Sequence, residues 1–214
     1  MNIKAFFAVS VAIIAFFVGL LVGIKKSEPQ HQAVNPTVLK MSVISASESD
    51  TLYRITGDYP QFEGADDTFN ASIKGFVEGR ITEFKENARS NWQARQDTLP
   101  PGEVKEEFPK DPFPLTITWL PTQLNADYIS FVMYTDSYEG GANSRQELMT
   151  FNYDMAAKHA IALADLFPGN PDYLKNLSRL SREALAGEGL PTDMINEGTQ
   201  PTPENFQNFV FNDE

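Results

Sequence analysis

The stretch TDSYEGGANSRQELMTFNYD, residues 135–154, joins a double glycine to a segment with the alternating pattern of a strand. Met149, Phe151 and Tyr153 fall on one side of that segment, because side chains of an extended chain alternate between two faces. The two glycines can adopt positive φ without strain, so they favour a tight connection between strands. The stretch therefore predicts a hairpin whose second strand begins near residue 145.

Two further strand patterns precede this one. FPLTITWL (113–120) places four apolar side chains on one face, and DYISFVMYTD (127–136) repeats the alternation. Short connections between successive strands predict an antiparallel meander. Upstream, LYRITGDYP (52–60) also alternates before a turn.

A helical period separates the first strand from the meander. The apolar residues recur at spacings of three and four: Phe69, Ile73, Phe76, Val77, Ile81, Phe84 and Ala88. Gly75 and Gly79 interrupt the helix and predict a close approach to the sheet. A second helix is predicted from Asn170 to Gly187. These elements predict an α+β fold, an antiparallel sheet meander with helices packed on one face.

The amino-terminal region has a different character. Residues 5–24 are uncharged and long enough, at about 1.5 Å per residue, to cross a bilayer core. We therefore predict a membrane anchor over residues 1–26, with a single transmembrane helix, and a polar tether over residues 27–50. The tether ends in VLKMSVISA, which could form an edge strand. Residues 51–214 form the predicted domain, placed outside the cytoplasm at the cell membrane.

The carboxyl-terminal segment predicts a last strand, from the apolar positions Phe206, Phe209 and Phe211. An apolar strand seldom ends a domain with nothing beside it. We therefore expect the chain to be truncated at this strand.

Several short motifs occur in an order that resembles a known family. They are Tyr59-Pro60-Gln61, Gly64, Asn70 with Ile73, Gly140-Gly141-Ala142, Thr150-Phe151-Asn152-Tyr153-Asp154 and Leu163-Ala164-Asp165-Leu166-Phe167. Together they resemble the RsiV-like domain, which lies outside the membrane in lysozyme-sensing anti-sigma factors and in PdaC-type peptidoglycan deacetylases. The resemblance implies an extracytoplasmic accessory domain. Family members often carry histidine where this chain has Asn143, so a role for an imidazole there is not carried over.

The sequence offers few groups for catalysis. It has no cysteine and two histidines, His31 and His159, whose separation gives no metal-binding spacing on one helix. A Ser-His-Asp site through His159, or acid-base work by Asp136 and Glu139, are the enzymatic alternatives. We predict no catalysis, no cofactor and no metal. A formal net charge of −12 also argues against a nucleic-acid partner.

Recognition is the function that these residues favour. Loops on rigid scaffolds often carry binding residues, and the turn after the second meander strand is the most irregular in the sheet. The predicted binding residues are Tyr138, Glu139, Gly140, Gly141, Asn143 and Arg145. The resemblance implies a basic, lysozyme-like protein or peptidoglycan as partner, besides the membrane itself.

Other functions stay open. The chain could be the accessory part of a peptidoglycan deacetylase or hydrolase, or a purely structural envelope protein. An anti-sigma factor is disfavoured because only residues 1–4 precede the apolar span.

Overall fold

The computed structural model describes residues 39–212, which form seven strands and three α-helices, with runs of strands and helices as expected for an α+β fold. The elements are β1 (Met41–Ser45), β2 (Glu48–Ser49), β3 (Tyr53–Phe62), α1 (Asp67–Asp97), β4 (Phe113–Leu124), β5 (Tyr128–Ser137), β6 (Arg145–Asp154), β7 (His159–Ala160), α2 (Tyr173–Leu185) and α3 (Thr192–Gly198). Short 3-10 helices cover Leu163–Leu166 and Pro203–Phe206. The α+β class is confirmed.

The sheet has the order β1-β3-β4-β5-β6-β7, with β2 also paired to β3. Strands β4 to β7 form the predicted antiparallel meander. The expectation of an antiparallel sheet is wrong for one pair, because β3 runs parallel to β4, with Tyr53 opposite Phe113. Parallel neighbours need a long crossover, which α1 and the loop after it supply.

Helix α1 packs on one face of this sheet through a single stripe. Its buried residues are Phe69, Ile73, Val77, Arg80, Phe84, Ala88, Trp92 and Gln96. Phe69 stacks on Tyr153 of β6 with ring centroids 4.5 Å apart, and Phe131 of β5 stacks on Phe151 at 5.1 Å. The predicted periodicity is therefore confirmed, and the stripe continues beyond Ala88.

The opposite face of β5 and β6 is covered by the carboxyl-terminal segment. The Phe209 amide donates to Thr150 Oγ1 at 3.1 Å, and Asn152 Nδ2 donates to the Phe209 carbonyl at 2.7 Å. The Phe211 amide donates to Ser130 Oγ at 3.0 Å. The strand predicted from Phe206 to Phe211 is not formed, because this segment bonds to polar side chains instead of to a strand edge.

The sheet extends into the segment predicted as a tether. β1 pairs antiparallel with the second half of β3, Met41 lying opposite Phe62, so the VLKMSVISA segment does supply an edge strand. The anchor predicted over residues 5–24 lies outside the described residues. Within residues 39–212, none of the helices combines the length and the apolarity that a membrane crossing requires.

Some glycines lie where two backbone segments approach closely, and others have open space around them. At Gly57 (φ +146°) a Cβ would lie 2.1 Å from the Ile117 carbonyl oxygen, at the end of the parallel pairing. At Gly75 and Gly79 a Cβ would meet nothing within 4 Å. The close approach predicted for those two is wrong, because both lie on the exposed side of α1.

Replacing Gly75 or Gly79 with alanine should stabilise the protein. Each substitution removes a helix-interior glycine at no steric cost, which raises the free energy of unfolding by about 0.5–1 kcal/mol. Gly57→Ala is the matched control and should destabilise, since its Cβ would overlap β4. Urea denaturation of the three variants measures both signs, and a loss of stability in Gly75→Ala would contradict the prediction.

Candidate functional site

The predicted binding residues lie in and beside the loop 138–144, which joins β5 to β6. The base of this loop is fixed. The Tyr138 ring packs edge-on against Phe113 of β4 with centroids 5.7 Å apart, and its amide donates to the Pro114 carbonyl at 3.0 Å. Tyr138 is therefore half-buried: its ring packs against Phe113, and the rest of the side chain lies at the surface.

Glu139 ties the loop to α1. Its carboxylate accepts from Asn87 Nδ2 at 3.0 Å, and its carbonyl accepts from Asn91 Nδ2 at 2.8 Å. Ser137 Oγ donates to the same carboxylate at 3.3 Å. Two asparagines one helical turn apart thus hold one loop residue, so the loop cannot shift without breaking bonds to the helix.

The two glycines differ. Gly140 has φ +80°, and a Cβ there would lie 2.7 Å from the Phe113 ring, so this position requires glycine. Gly141 is open, since a Cβ would meet nothing within 4 Å. Gly141 and Asn143 lie in the exposed tip of the loop, residues 141–144.

Arg145 belongs to a separate cluster of four charged residues between α1 and β6. It pairs with Glu83 at 2.5 Å and with Glu147, while Arg80 pairs with Glu83 and lies 3.0 Å from Glu147. The Arg80 side chain is only 8% exposed. Hydrogen bonding from Arg145, together with the charges of both arginines, lowers the pKa of Glu83. The bond to Glu83 raises the pKa of Arg145.

The alternatives for catalysis occupy exposed positions. His159 Nε2 lies 4.0 Å from a carboxylate oxygen of Asp165, and both side chains are about half exposed. Asp136 accepts from Gln146 Nε2 at 3.0 Å on the neighbouring strand. In the described part of the chain, no three His, Asp or Glu side chains are grouped as metal ligands would be.

The motif residues near the start of α1 form polar bridges that periodicity did not predict. The Asn70 side chain bonds both backbone groups of Phe62, donating to its carbonyl and accepting from its amide at 2.9 Å each. The Asn70 side chain thus forms the hydrogen bonds with the Phe62 backbone that a neighbouring strand would otherwise form. Asp66 caps the helix and exchanges bonds with the Tyr153 hydroxyl at 3.0 and 3.1 Å. The one sequence feature that points to the Asn70 bridge is an asparagine inside a helical pattern, where this residue is otherwise unfavourable.

A cavity lies away from the loop. Its volume is about 570 Å³, and it runs beside β6 between α1 and the carboxyl-terminal segment. Phe76, Met149 and Phe206 line it with other apolar side chains. Sequence reasoning did not identify this groove, because its two walls are more than 100 residues apart in the chain.

Removing the Asn70 bridge should destabilise the fold. Asn70→Ala leaves the Phe62 amide and carbonyl without these partners, and we expect the free energy of unfolding to fall by about 1–3 kcal/mol. Asn70→Asp keeps the acceptor for the Phe62 amide but places a carboxylate oxygen against the Phe62 carbonyl, so it should destabilise the protein as well. Thermal denaturation measures both losses of stability, and an unchanged Asn70→Ala protein would contradict the bridge.

The Glu83 ion pairs should make stability depend on pH. Because the folded-state pKa of Glu83 is lowered, its contribution is present above the unfolded pKa of about 4.3 and disappears as pH falls through the folded value. Glu83→Gln should therefore cost about 1 kcal/mol at neutral pH, a modest value because the side chain is 43% exposed.

Chemical denaturation at neutral pH and at about pH 3 tests this, and the difference from wild type should shrink in acid. Glu86→Gln, exposed on the same helix, is the control and should change little. A Glu83→Gln deficit that persists undiminished in acid would show that the ion pairs do not cause it.

Comparison with known proteins shows which families this chain is similar to. The family described as "Deacetylase PdaC" matches residues 46–145, from just before β2 to the first residue of β6. The peptidoglycan-N-acetylmuramic acid deacetylase PdaC of Bacillus subtilis (strain 168) is 23% identical over 160 residues. That alignment includes 73% of this chain and 31% of the relative, so the chain spans about a third of the relative's length.

Two solved structures of DUF3298 proteins are also similar. A member from Bacteroides fragilis NCTC 9343 has a TM-score of 0.47 and 16% identity, covering 76% of this chain and 74% of its own. A protein from Pseudomonas aeruginosa PAO1 has a TM-score of 0.39 and 13% identity, covering 73% and 68%. The family match over residues 46–145 and the Bacillus relative confirm the predicted resemblance to PdaC-type domains.

Proposed function

We propose that this domain is a non-catalytic recognition module of the bacterial cell envelope. In this proposal residues 5–24 anchor it to the membrane, the domain lies outside the cytoplasm, and it contacts a cationic wall-lytic protein such as a lysozyme-type enzyme. The observation that carries the proposal is the loop 138–144, with a fixed base and an exposed tip.

Rigidity at the base favours recognition because less conformational freedom is lost on binding. Glu139 is held by Asn87 and Asn91, and Gly140 is seated against Phe113. The exposed tip, residues 141–144, can then meet a partner without rearranging the loop. The ion pairs of Arg145 fix the first residue of β6 on the other side of the tip.

Charge supports a cationic partner. The chain has 29 acidic and 17 basic residues, a net charge of −12. Such a charge attracts basic proteins over several ångströms and raises their association rate more than their final affinity. An extracellular lytic enzyme that binds the anionic cell wall is a partner of the required charge.

A second function is favoured by the Bacillus relative, whose name is that of a peptidoglycan deacetylase. In that case the domain is an accessory part of a longer enzyme and contacts wall glycan. The tip would then approach a neutral or anionic polymer, and the acidic charge would not assist binding. The salt dependence of binding therefore separates the two functions.

Binding of the purified full chain to a lysozyme-type enzyme tests the first function. We expect association to slow at least about tenfold between roughly 30 and 300 mM salt, because screening removes the long-range attraction. Asn143→Lys at the tip should weaken binding about tenfold or more.

Asn176→Lys is the matched control, since it makes the same charge change on the exposed side of α2. It should reduce affinity by no more than about twofold. No binding at either salt concentration would exclude the first function. Sedimentation with insoluble peptidoglycan, unaffected by salt, would favour the second.

A further inference from the structure

Among residues 39–212, no strand pairs with the outer edge of β6 along most of its length. β7 pairs only with Tyr153 and Asp154, and the Ile161 amide donates to the Asn152 carbonyl at 2.9 Å before the chain turns away. Among the described residues, no strand pairs with this edge between Arg145 and Phe151. The strand position beside β6 is therefore occupied by β7 at one end. Among the described residues, it is vacant at the other end.

The orientation of the vacant groups follows from the Ile161 bond. In an antiparallel ladder, alternate residues direct their amide and carbonyl groups to the same edge. Because the Asn152 carbonyl points outward, the main-chain groups of Thr150, Leu148 and Gln146 point outward as well. Another strand continuing the line of β7 would meet these groups in register.

Side chains enclose one end of this vacant strand position on both sides. The 570 Å³ groove borders that end, beside residues 149–152 of β6, and its volume is within the range of about 300–1,000 Å³ that ligand clefts occupy. Phe69 and Phe76 of α1 form one wall, and Phe206 and Phe209 form the other. Met149, 41% exposed, also lines the groove. An extended chain with apolar side chains would bury these surfaces.

The carboxyl-terminal segment that supplies one wall of the groove is acidic and contains no basic residue. From Glu183 to the carboxyl terminus the sequence has no lysine, arginine or histidine. Within that stretch the acidic residues Glu188, Asp193, Glu197 and Glu204 are all exposed. The groove lining itself is uncharged, so an apolar strand whose basic residues lie outside the groove complements this segment.

We propose that the β6 groove binds an extended peptide segment of a basic partner by strand addition, with apolar residues inside the groove and lysine or arginine beside it. Main-chain bonds to β6 supply affinity, and the two aromatic walls select apolar side chains. This rests on the proposed recognition of a cationic protein, and it adds the site and the form of the bound segment.

The probe is the peptide acetyl-Lys-Lys-Val-Ile-Val-Val-Lys-Lys-amide, titrated into the full 214-residue chain and followed by NMR. We expect saturable binding with a dissociation constant below about 1 mM, and shifts at the amides of Gln146, Leu148 and Thr150. The same peptide methylated at alternate backbone nitrogens, and a version with glutamate in place of lysine, should each bind at least about tenfold more weakly.

Two variants test the site itself. Leu148→Pro removes an outward amide that β5 does not use, and proline is tolerated at such edge positions. Met149→Lys places a charge in the groove lining. Both should weaken the peptide at least about tenfold, whereas Met194→Lys, the same change at a methionine 45% exposed on α3, should stay within about twofold. If Leu148→Pro fails to fold, Met149→Lys and the methylated peptide test whether the peptide binds at the β6 groove.

Absence of saturable binding at about 1 mM, or equal binding of the methylated peptide, would overturn strand addition. Equal binding of the glutamate peptide would overturn the basic partner. Failure of the peptide while a lysozyme-type protein binds would reject the groove and leave the recognition function intact. Peptide binding without binding of that protein would retain the groove and reject the lysozyme-type partner.

Discussion

The packing of α1 across the sheet is the interaction on which the other features depend. Its stripe from Phe69 to Trp92 covers the aromatic face built by Phe131, Phe151 and Tyr153. Burial of such side chains contributes about 1.5–3 kcal/mol each, so this contact dominates the core. Because α1 is also the crossover between β3 and β4, the same contact fixes the parallel pairing in the sheet.

Polar residues on the margins of that stripe then hold each neighbouring segment. Asn70 holds the end of β3, Asn87 and Asn91 hold the loop before β6, and Gln96 accepts from the Glu106 amide in the proline-rich loop. Arg80 and Glu83 bind the start of β6. The helix therefore acts as a template for loops as well as a core element, and the loop 138–144 inherits its rigidity from α1.

The parts of the fold that depend on local pattern were predictable, and those that depend on distant partners were not. Alternation identified β4, β5 and β6, and the apolar period identified α1. Parallel pairing of β3 escaped, because alternation is the same for either strand direction. The strand expected near Phe209 also failed, since Ser130, Thr150 and Asn152 offer side-chain partners that no local pattern reveals.

The candidate site also combines features that depend on local sequence with features that depend on distant partners. Gly140 was predictable as a glycine required by the turn, whereas the bonds from Asn87 and Asn91 to Glu139 cross about 50 residues. Arg145 is adjacent to the loop in sequence but belongs to a different cluster, because it forms ion pairs with Glu83 and Glu147.

The two edges of the sheet differ in a way that bears on specificity. β1 exposes Met41, Val43 and Ile44, each about 40–50% accessible, on a strand of five residues. The β6 edge instead lies in a groove with aromatic residues on both sides. An edge without walls accepts any strand with little selection, whereas a walled edge adds a requirement on side-chain shape to the main-chain bonds. The selective peptide recognition that we propose is therefore assigned to β6, and the short length of β1 limits unselective pairing there.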